Sequence, residues 1–472
     1  MNLNQTLQEK YPHLEISVLK LSEVQKDNES KRIDSEFFKK EYFDAMETMQ
    51  LNQVEYLGDN MKFNSRYSQP KYDETSKIKV INSQYIRNEY IDYENAKSGY
   101  GKIVPKESVL INATGVGTLG RVFINILDFD FSIDSHINVI VVKNKTYLNP
   151  YFLAIFLQSY YGQIQIIRYY SGTSGQIEIY PRDFNYFKIP IFPMEFQLEI
   201  QNLVKDSHKA LEESKELYKK AEETLYLELG LDPKNPLQSL LDSKTNIPTN
   251  SPNISIRTLK ESFLKTGRLD SEYYQSKYED IEKFIKSYPN GYDSFSNIIN
   301  NKDTNFTPKN NENYSYIELA NIGNNGNISE PISDLGKNLP TRARRIVSKG
   351  DVIISSIEGS LSSCALITQE FDKHLVSTGF FVLNSKLLNG ETLLVMFKSQ
   401  IFQEYLKKFP SGTILCAINK EELSKILIPK IDPTTQEKIA KYIQESFNLR
   451  KKSKQLLDNA KNKVEEQIQG KT

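Results

Sequence analysis

Ile189-Pro190-Ile191-Phe192-Pro193-Met194-Glu195-Phe196-Gln197 opens a stretch that meets neither proline nor glycine before Gly230. Near the end of the chain, Ile428-Pro429-Lys430-Ile431-Asp432-Pro433 opens a second such stretch, uninterrupted to Gln469. Proline suits the approach to a helix and its first turn, and not a helix interior. The two stretches predict helices from Glu195 to Leu229 and from Thr434 to Gln469. At ~1.5 Å per residue each would run roughly 50 Å.

Aligned so that Ile189 meets Ile428, the two helices share residues on a lattice of seven. Ile200 meets Ile439, Ser207 meets Ser446, Ser214 meets Ser453, and Ala221 meets Ala460. A second seam, four residues on, reads Val204, Leu211, Tyr218, Leu225 in one helix and Ile443, Arg450, Leu457, Val464 in the other. Seven-residue periodicity is the mark of a coiled coil. Small residues beside larger ones suggest two helices packed closely; the bland alternative is a solvated face that happens to repeat. Antiparallel pairing would set a globular part at each end of a rod.

The repetition extends upstream. Arg32-Ile33-Asp34-Ser35-Glu36-Phe37-Phe38 returns as Arg268-Leu269-Asp270-Ser271-Glu272-Tyr273-Tyr274, and Ser171-Gly172-Thr173 as Ser411-Gly412-Thr413. Each copy begins near Ile16-Ser17-Val18 or Ile254-Ser255-Ile256, followed by a short aromatic helix, Ser35 to Ala45 and Ser271 to Ile285. Short β-branched runs read as strands: Ile78 to Asn82 and Tyr316 to Ala320, then Ser108 to Asn112 and Asp351 to Ser355. A second helix is expected at Pro150 to Tyr161 and at Glu391 to Lys407. The irregular order of helices and strands predicts α+β units. The expected division is 1–193, a helix at 194–231, a proline-bearing linker at 232–252, then 253–433 and a helix at 434–472. Tandem copies imply pseudo-two-fold symmetry, which suits a target with two similar half-sites such as DNA.

Sixty basic residues balance sixty acidic ones among 472, which argues mildly against a protein that simply coats nucleic acid. Cys364 and Cys416 fit a reducing compartment, and with four scattered histidines they make no recognisable metal site. No apolar run nears the ~20 residues of a membrane span, and the first residues lack a signal-peptide core; a cytoplasmic protein is expected.

Two α+β units, each closed by an Ile-Pro exit with a following Gln and Ile (Gln197 and Ile200, Gln436 and Ile439) and a long helix, resemble the specificity subunit of type I restriction-modification systems. The Ser-Gly-Thr turns and Gly350-Asp351-Val352-Ile353 also match; the first copy departs, with Glu107-Ser108 in place of Gly350-Asp351. The resemblance covers about residues 14 to 469. It implies two target recognition domains, each reading part of a split DNA site, with the long helices as an antiparallel spacer. It implies docking of methyltransferase subunits, two in number, and of restriction subunits. It implies no catalytic residue, metal or cofactor in this chain, with S-adenosylmethionine, ATP and Mg in the partners.

Several stretches invite chemistry. Gly115-Val116-Gly117-Thr118-Leu119-Gly120 matches a dinucleotide fingerprint, and Asn149-Pro150-Tyr151-Phe152 is similar to part of an amino-methyltransferase motif. Together they keep a stand-alone adenine DNA methyltransferase as an alternative, beside a coiled-coil scaffold with no DNA role. A fingerprint needs a helix directly after it; Arg121 to Leu127 reads as a strand, so a turn that faces DNA, with Thr114, Thr118 and Arg121, is the expectation. His136 lies near Asp134, but copy two has Gly379 there, so a structural role is expected. Arg342, Arg344, Arg345 and Lys349 form a basic cluster, and Lys97, Lys102 and Lys106 its counterpart, suited to phosphates. Ser171, Thr173, Ser411 and Thr413 offer hydroxyls to phosphate, and Gln176 has the amide that pairs with adenine.

Overall fold

The computed structural model describes residues 3–172, 175–242, 256–412 and 416–470. Two compact units emerge: one from residues 1–211 with 451–472, the other from residues 212–450. Among the described residues no helix is long and apolar enough to cross a membrane.

After short helices at Leu3–Lys10 and Leu21–Gln25, the first unit has α1 (Lys40–Met49) and ten strands. These are β1 (Val54–Tyr56), β2 (Met61–Arg66), β3 (Lys71–Tyr72), β4 (Lys79–Ile81) and β5 (Lys97–Tyr100). Then come β6 (Val109–Asn112), β7 (Val122–Ile124), β8 (Phe131–Ile133), β9 (Ile137–Val142) and β10 (Lys188–Pro190). Helices α2 (Pro150–Gln158) and α3 (Tyr160–Tyr169) fall between β9 and β10, and α4 (Met194–Glu228) follows. One sheet is antiparallel, ordered β2-β9-β6-β7, and the other is mixed, ordered β3-β5-β4-β8 with β4 and β8 parallel. Strand β6 is buried at every residue, as its unbroken Val-Leu-Ile run requires. Helix α2 is apolar on all sides and buried from Pro150 to Leu157.

The second unit repeats this plan with α5 (Ser276–Lys286), β11 (Tyr292–Ser294), β12 (Ile299–Asn301), β13 (Asn313–Ile317), β14 (Ile332–Leu335) and β15 (Ala343–Ile346). It continues with β16 (Val352–Ser355), β17 (Cys364–Leu366), β18 (Leu375–Ser377) and β19 (Phe380–Ser385). Then come α6 (Gly390–Lys398), α7 (Gln400–Leu406), β20 (Leu427–Pro429) and α8 (Pro433–Ile468), whose residues from Lys451 onward belong to the first unit. The sheet β12-β19-β16-β17 matches β2-β9-β6-β7 strand for strand. The second sheet is β14-β13-β18-β15, where β13 and β18 are the parallel pair. The α+β class holds in both units.

Two helix expectations need correction. The aromatic helices begin at Lys40 and Ser276, five residues later than expected, because Asp34 and Asp270 accept the backbone N–H of Phe37 and Tyr273 (3.1 Å each) and hold a turn there. The second helices are each two: Ser159 and Ser399 have extended backbones, and their hydroxyls donate back to Phe156 O (2.6 Å) and Met396 O (2.7 Å).

The glutamine of each exit fixes a helix start. Gln197 accepts the N–H of Asn149 at 2.7 Å and donates to Tyr147 O and Phe192 O at 3.0 and 2.8 Å. Gln436 accepts the N–H of Asn389 at 2.9 Å and donates to Leu387 O and Ile431 O at 3.0 and 2.9 Å. Asn149 and Asn389 in turn cap α2 and α6 with their side chains.

Each unit contains an antiparallel stretch of helix pair. In the first, Ser207 Oγ meets Ser453 Oγ at 2.9 Å and Glu199 bridges Lys463 at 2.9 Å. That register puts Ala460 opposite Ile200, and both are buried with Val204, Leu457 and Val464. In the second, Ser214 Oγ meets Ser446 Oγ at 3.2 Å and Thr435 donates to Glu228 at 2.7 Å. The same register puts Ala221 opposite Ile439, again in the core. Serine faces serine at the two inner steps and alanine faces isoleucine at the two outer ones, so a small residue at every step lets the backbones approach.

Candidate nucleic-acid interface

The turn between β6 and β7 carries Gly115, Gly117 and Gly120 with φ of +91°, +78° and +81°, the left-handed region where a side chain is strained. Thr118 Oγ1 donates to Thr114 O (2.8 Å), and Arg121 Nη2 to Gly117 O (2.7 Å). Strand β7 follows directly, so these glycines shape a turn between strands and do not cradle a phosphate at a helix start.

Against this turn lies the stretch from Ile177 to Glu178, which pairs with Ser171. Ser171 and Glu178 exchange backbone hydrogen bonds at 2.8 Å, and Gly115 N–H donates to Ile177 O at 3.0 Å. In the second unit Ser411 and Ala417 exchange theirs at 3.0 and 3.1 Å, and Glu358 N–H donates to Cys416 O at 3.0 Å. The structure thus joins two features that lie far apart in sequence. Thr173 and Thr413 fall outside the described residues; Ser171 is half-buried and Gln176 exposed.

The repeated Arg-x-Asp motif anchors this hairpin. Arg32 Nη1 donates to Arg168 O (3.2 Å) and Tyr170 O (2.7 Å), while Asp34 holds its Nε and Nη2 at 2.7 Å. Arg268 does the same with Phe409 O (3.3 Å), Pro410 O (2.8 Å) and Asp270. The Arg32 hydrogen bond holds the Asp34 carboxyl below its ordinary value. Arg168 itself is buried with its guanidinium 4.1 Å from the Phe37 ring centre and 3.8 Å from that of Tyr42.

Sequence reasoning missed Arg66. It pairs with Glu178, donates to Ile179 O, and stands over the Tyr180 ring at 5.7 Å, with Arg182 at 5.3 Å. No local signal marks it, because it comes from β2, far upstream of the hairpin.

The basic clusters divide. Arg342 and Lys349 are exposed, and Arg344 Nε donates to Thr341 O at 2.8 Å. Arg345 turns inward to Phe380 O, and burial lowers its pKa. In the first unit Ile103 bridges to Ser132 of β8, as β15 pairs with β18 in the second, so Lys102 sits at the matching edge. Lys102 lies 4.7 and 4.9 Å from the ring centres of Phe63 and Tyr67, and Lys106 pairs with Asp128 at 3.0 Å. Lys97 does not share this edge: it sits on β5, across β4 and β8. The sequence grouping failed because the intervening residues fold back as a strand.

His136 Nδ1 lies 3.0 Å from Thr114 Oγ1, while Asp134 accepts the backbone N–H of His136 at 2.9 Å and not its ring. Burial raises the Asp134 pKa. The pair orders a turn and is not aligned for proton relay. Both cysteines are free thiols, Cys364 buried.

Residues 44–223 match the family described as type I restriction modification DNA specificity domain. The chain is similar to the type I restriction enzyme HindI specificity subunit of Haemophilus influenzae, 30% identical over 159 residues. That match spans 33% of this chain and 33% of the relative. Among solved structures, the S subunit of a type I restriction-modification system from M. genitalium is 13% identical, covering 88% of this chain and 95% of its own, with a TM-score of 0.41. The HsdS subunit of Thermoanaerobacter tengcongensis is 14% identical, covering 89% and 97%, with a TM-score of 0.27.

Proposed function

We propose that the chain is the sequence-specific DNA-binding subunit of a type I restriction-modification complex. Its two lobes read the two parts of a bipartite site, and the long helices set the gap between them. The carrying observation is the specificity-domain match at residues 44–223, with the same strand order and hairpin repeated in the second lobe. One frame with different surface residues suits two different half-sites: where the first lobe has Thr114 and His136, the second has Ile357 and Gly379. The chain acts as recognition subunit without chemistry of its own, in the cytoplasm. Two methyltransferase subunits, and restriction subunits, dock on it and supply S-adenosylmethionine, ATP and Mg sites.

The test is methyl transfer to DNA by the chain co-expressed with a type I methyltransferase subunit, followed by mapping of the methylated sites. Methylation at a split sequence only when both proteins are present is expected. Methyl transfer by the chain alone would point to the stand-alone enzyme, and binding without sequence preference to a scaffold.

A further inference from the structure

Two arginines of the first lobe converge on one oxygen. Arg87 Nη1 donates to Ile86 O at 3.0 Å and to Gln84 O at 2.6 Å. Arg121 Nη1 donates to the same Ile86 O at 3.3 Å, and its Nη2 to Gly117 O at 2.7 Å. Neither forms an ion pair among the described residues, and Glu89, two positions from Arg87, is exposed and bridges neither. Carbonyls hold the two guanidinium groups in place without cancelling their charge. Each guanidinium has five N–H donors, so several remain free. Two like charges fixed side by side repel; burial, and after it the Arg87 charge, lowers the Arg121 pKa. An anion between them would relieve that repulsion.

The pair adjoins the glycine turn, whose tip residue Val116 is 68% exposed. The second lobe lacks it. The Ile86–Ile91 bridge corresponds to Ile322–Ile328, which puts Gly323 where Arg87 stands. There a Cβ would collide with the Asn327 side chain. Asn112 N–H donates to Arg121 O as Ser355 N–H does to Ser363 O, so Ser363 replaces Arg121.

We infer that Arg87 and Arg121 clamp a backbone phosphate of duplex DNA beside the first lobe's reading turn, a contact the second lobe does not make. This rests on the DNA-recognition reading. The guanidinium forks match phosphate oxygens, and their rigid seating on carbonyls means little order is lost on binding.

The experiment measures binding of the full chain to a labelled random-sequence DNA duplex over rising potassium chloride. Replacing both, Arg87→Gln with Arg121→Gln, should lower the magnitude of the log–log salt slope by about 0.9, the share of one phosphate, and each single replacement by part of that. Arg121→Lys keeps the charge and should keep the slope. Arg87→Gln leaves the Gly117 contact untouched, so it reports on charge even where Arg121→Gln disturbs the turn. Lys309→Gln, which removes a cation paired with Glu312 in the other lobe, should change nothing. Wild-type binding with an unchanged slope in Arg87→Gln and the double variant overturns the clamp and leaves the recognition reading standing. A wild-type chain that binds no duplex overturns both.

Discussion

Gln197 makes three hydrogen bonds from a fully buried position, all of them to backbone. Replacing Gln197→Ala leaves a buried N–H and two carbonyls unpaired. The expected loss is about 1–3 kcal/mol, read by thermal or urea unfolding. Asp34 carries a pH dependence. Its folded pKa is lowered, so its contribution is complete above the ordinary carboxylate value of about 3.9 and fades as pH falls through the lowered one. Unfolding midpoints of wild type and Asp34→Asn should converge in acid and separate above that window; a constant gap would refute the assignment. The sequence displayed both residues as repeated letters. It could not display their purpose, because Asn149 lies 48 residues from Gln197 and the carbonyl partners of Arg32 lie 136 and 138 residues away.

At the scale of the element, the long helices were the most legible part. Their periodicity is local, and burial on one face leaves a trace every seven residues. Short helices were less so: their starts depend on a carboxylate accepting a particular N–H, which shifted α1 and α5 past the expected residue. Close packing makes the seam sensitive to volume. Ala221→Leu should cost ~1–3 kcal/mol through overpacking against Ile439, seen as a lower unfolding midpoint. The serine pairs should be coupled. Ser207→Ala takes from the buried Ser453 hydroxyl its partner, Ser453→Ala leaves Ser207 Oγ only its bond to Ser453 O (2.9 Å), and the double replacement removes both hydroxyls. A double-mutant cycle should show the pair costing less than the sum of the singles, by ~0.5–3 kcal/mol.

For the whole molecule, duplication was plain in the sequence, and so was the α+β class. The site was legible only in pieces. The glycine turn and the Ser-Gly-Thr segment were each found, but their link through Ile177 and Glu178 depends on a strand pairing across some sixty positions that no local pattern encodes. The basic clusters were read as contiguous, and sheet order divided them. Arg342 and Arg344 remain the second lobe's candidates for phosphate. Replacing both by Gln should reduce the salt slope of DNA binding by about 1.8, whereas Arg345→Gln should lower stability instead, since its guanidinium serves Phe380 O. The division into units has a consequence for synthesis. The last segment of the first unit, residues 451–472, carries Leu457, Ala460, Val464 and Ile468, which cover Ile200 and Val204. A ribosome delivers that segment only after the other unit, residues 212–450, is complete. The lobe that emerges first is therefore the one that finishes folding last, and a transcript cut short leaves it with an open apolar face for chaperones to guard.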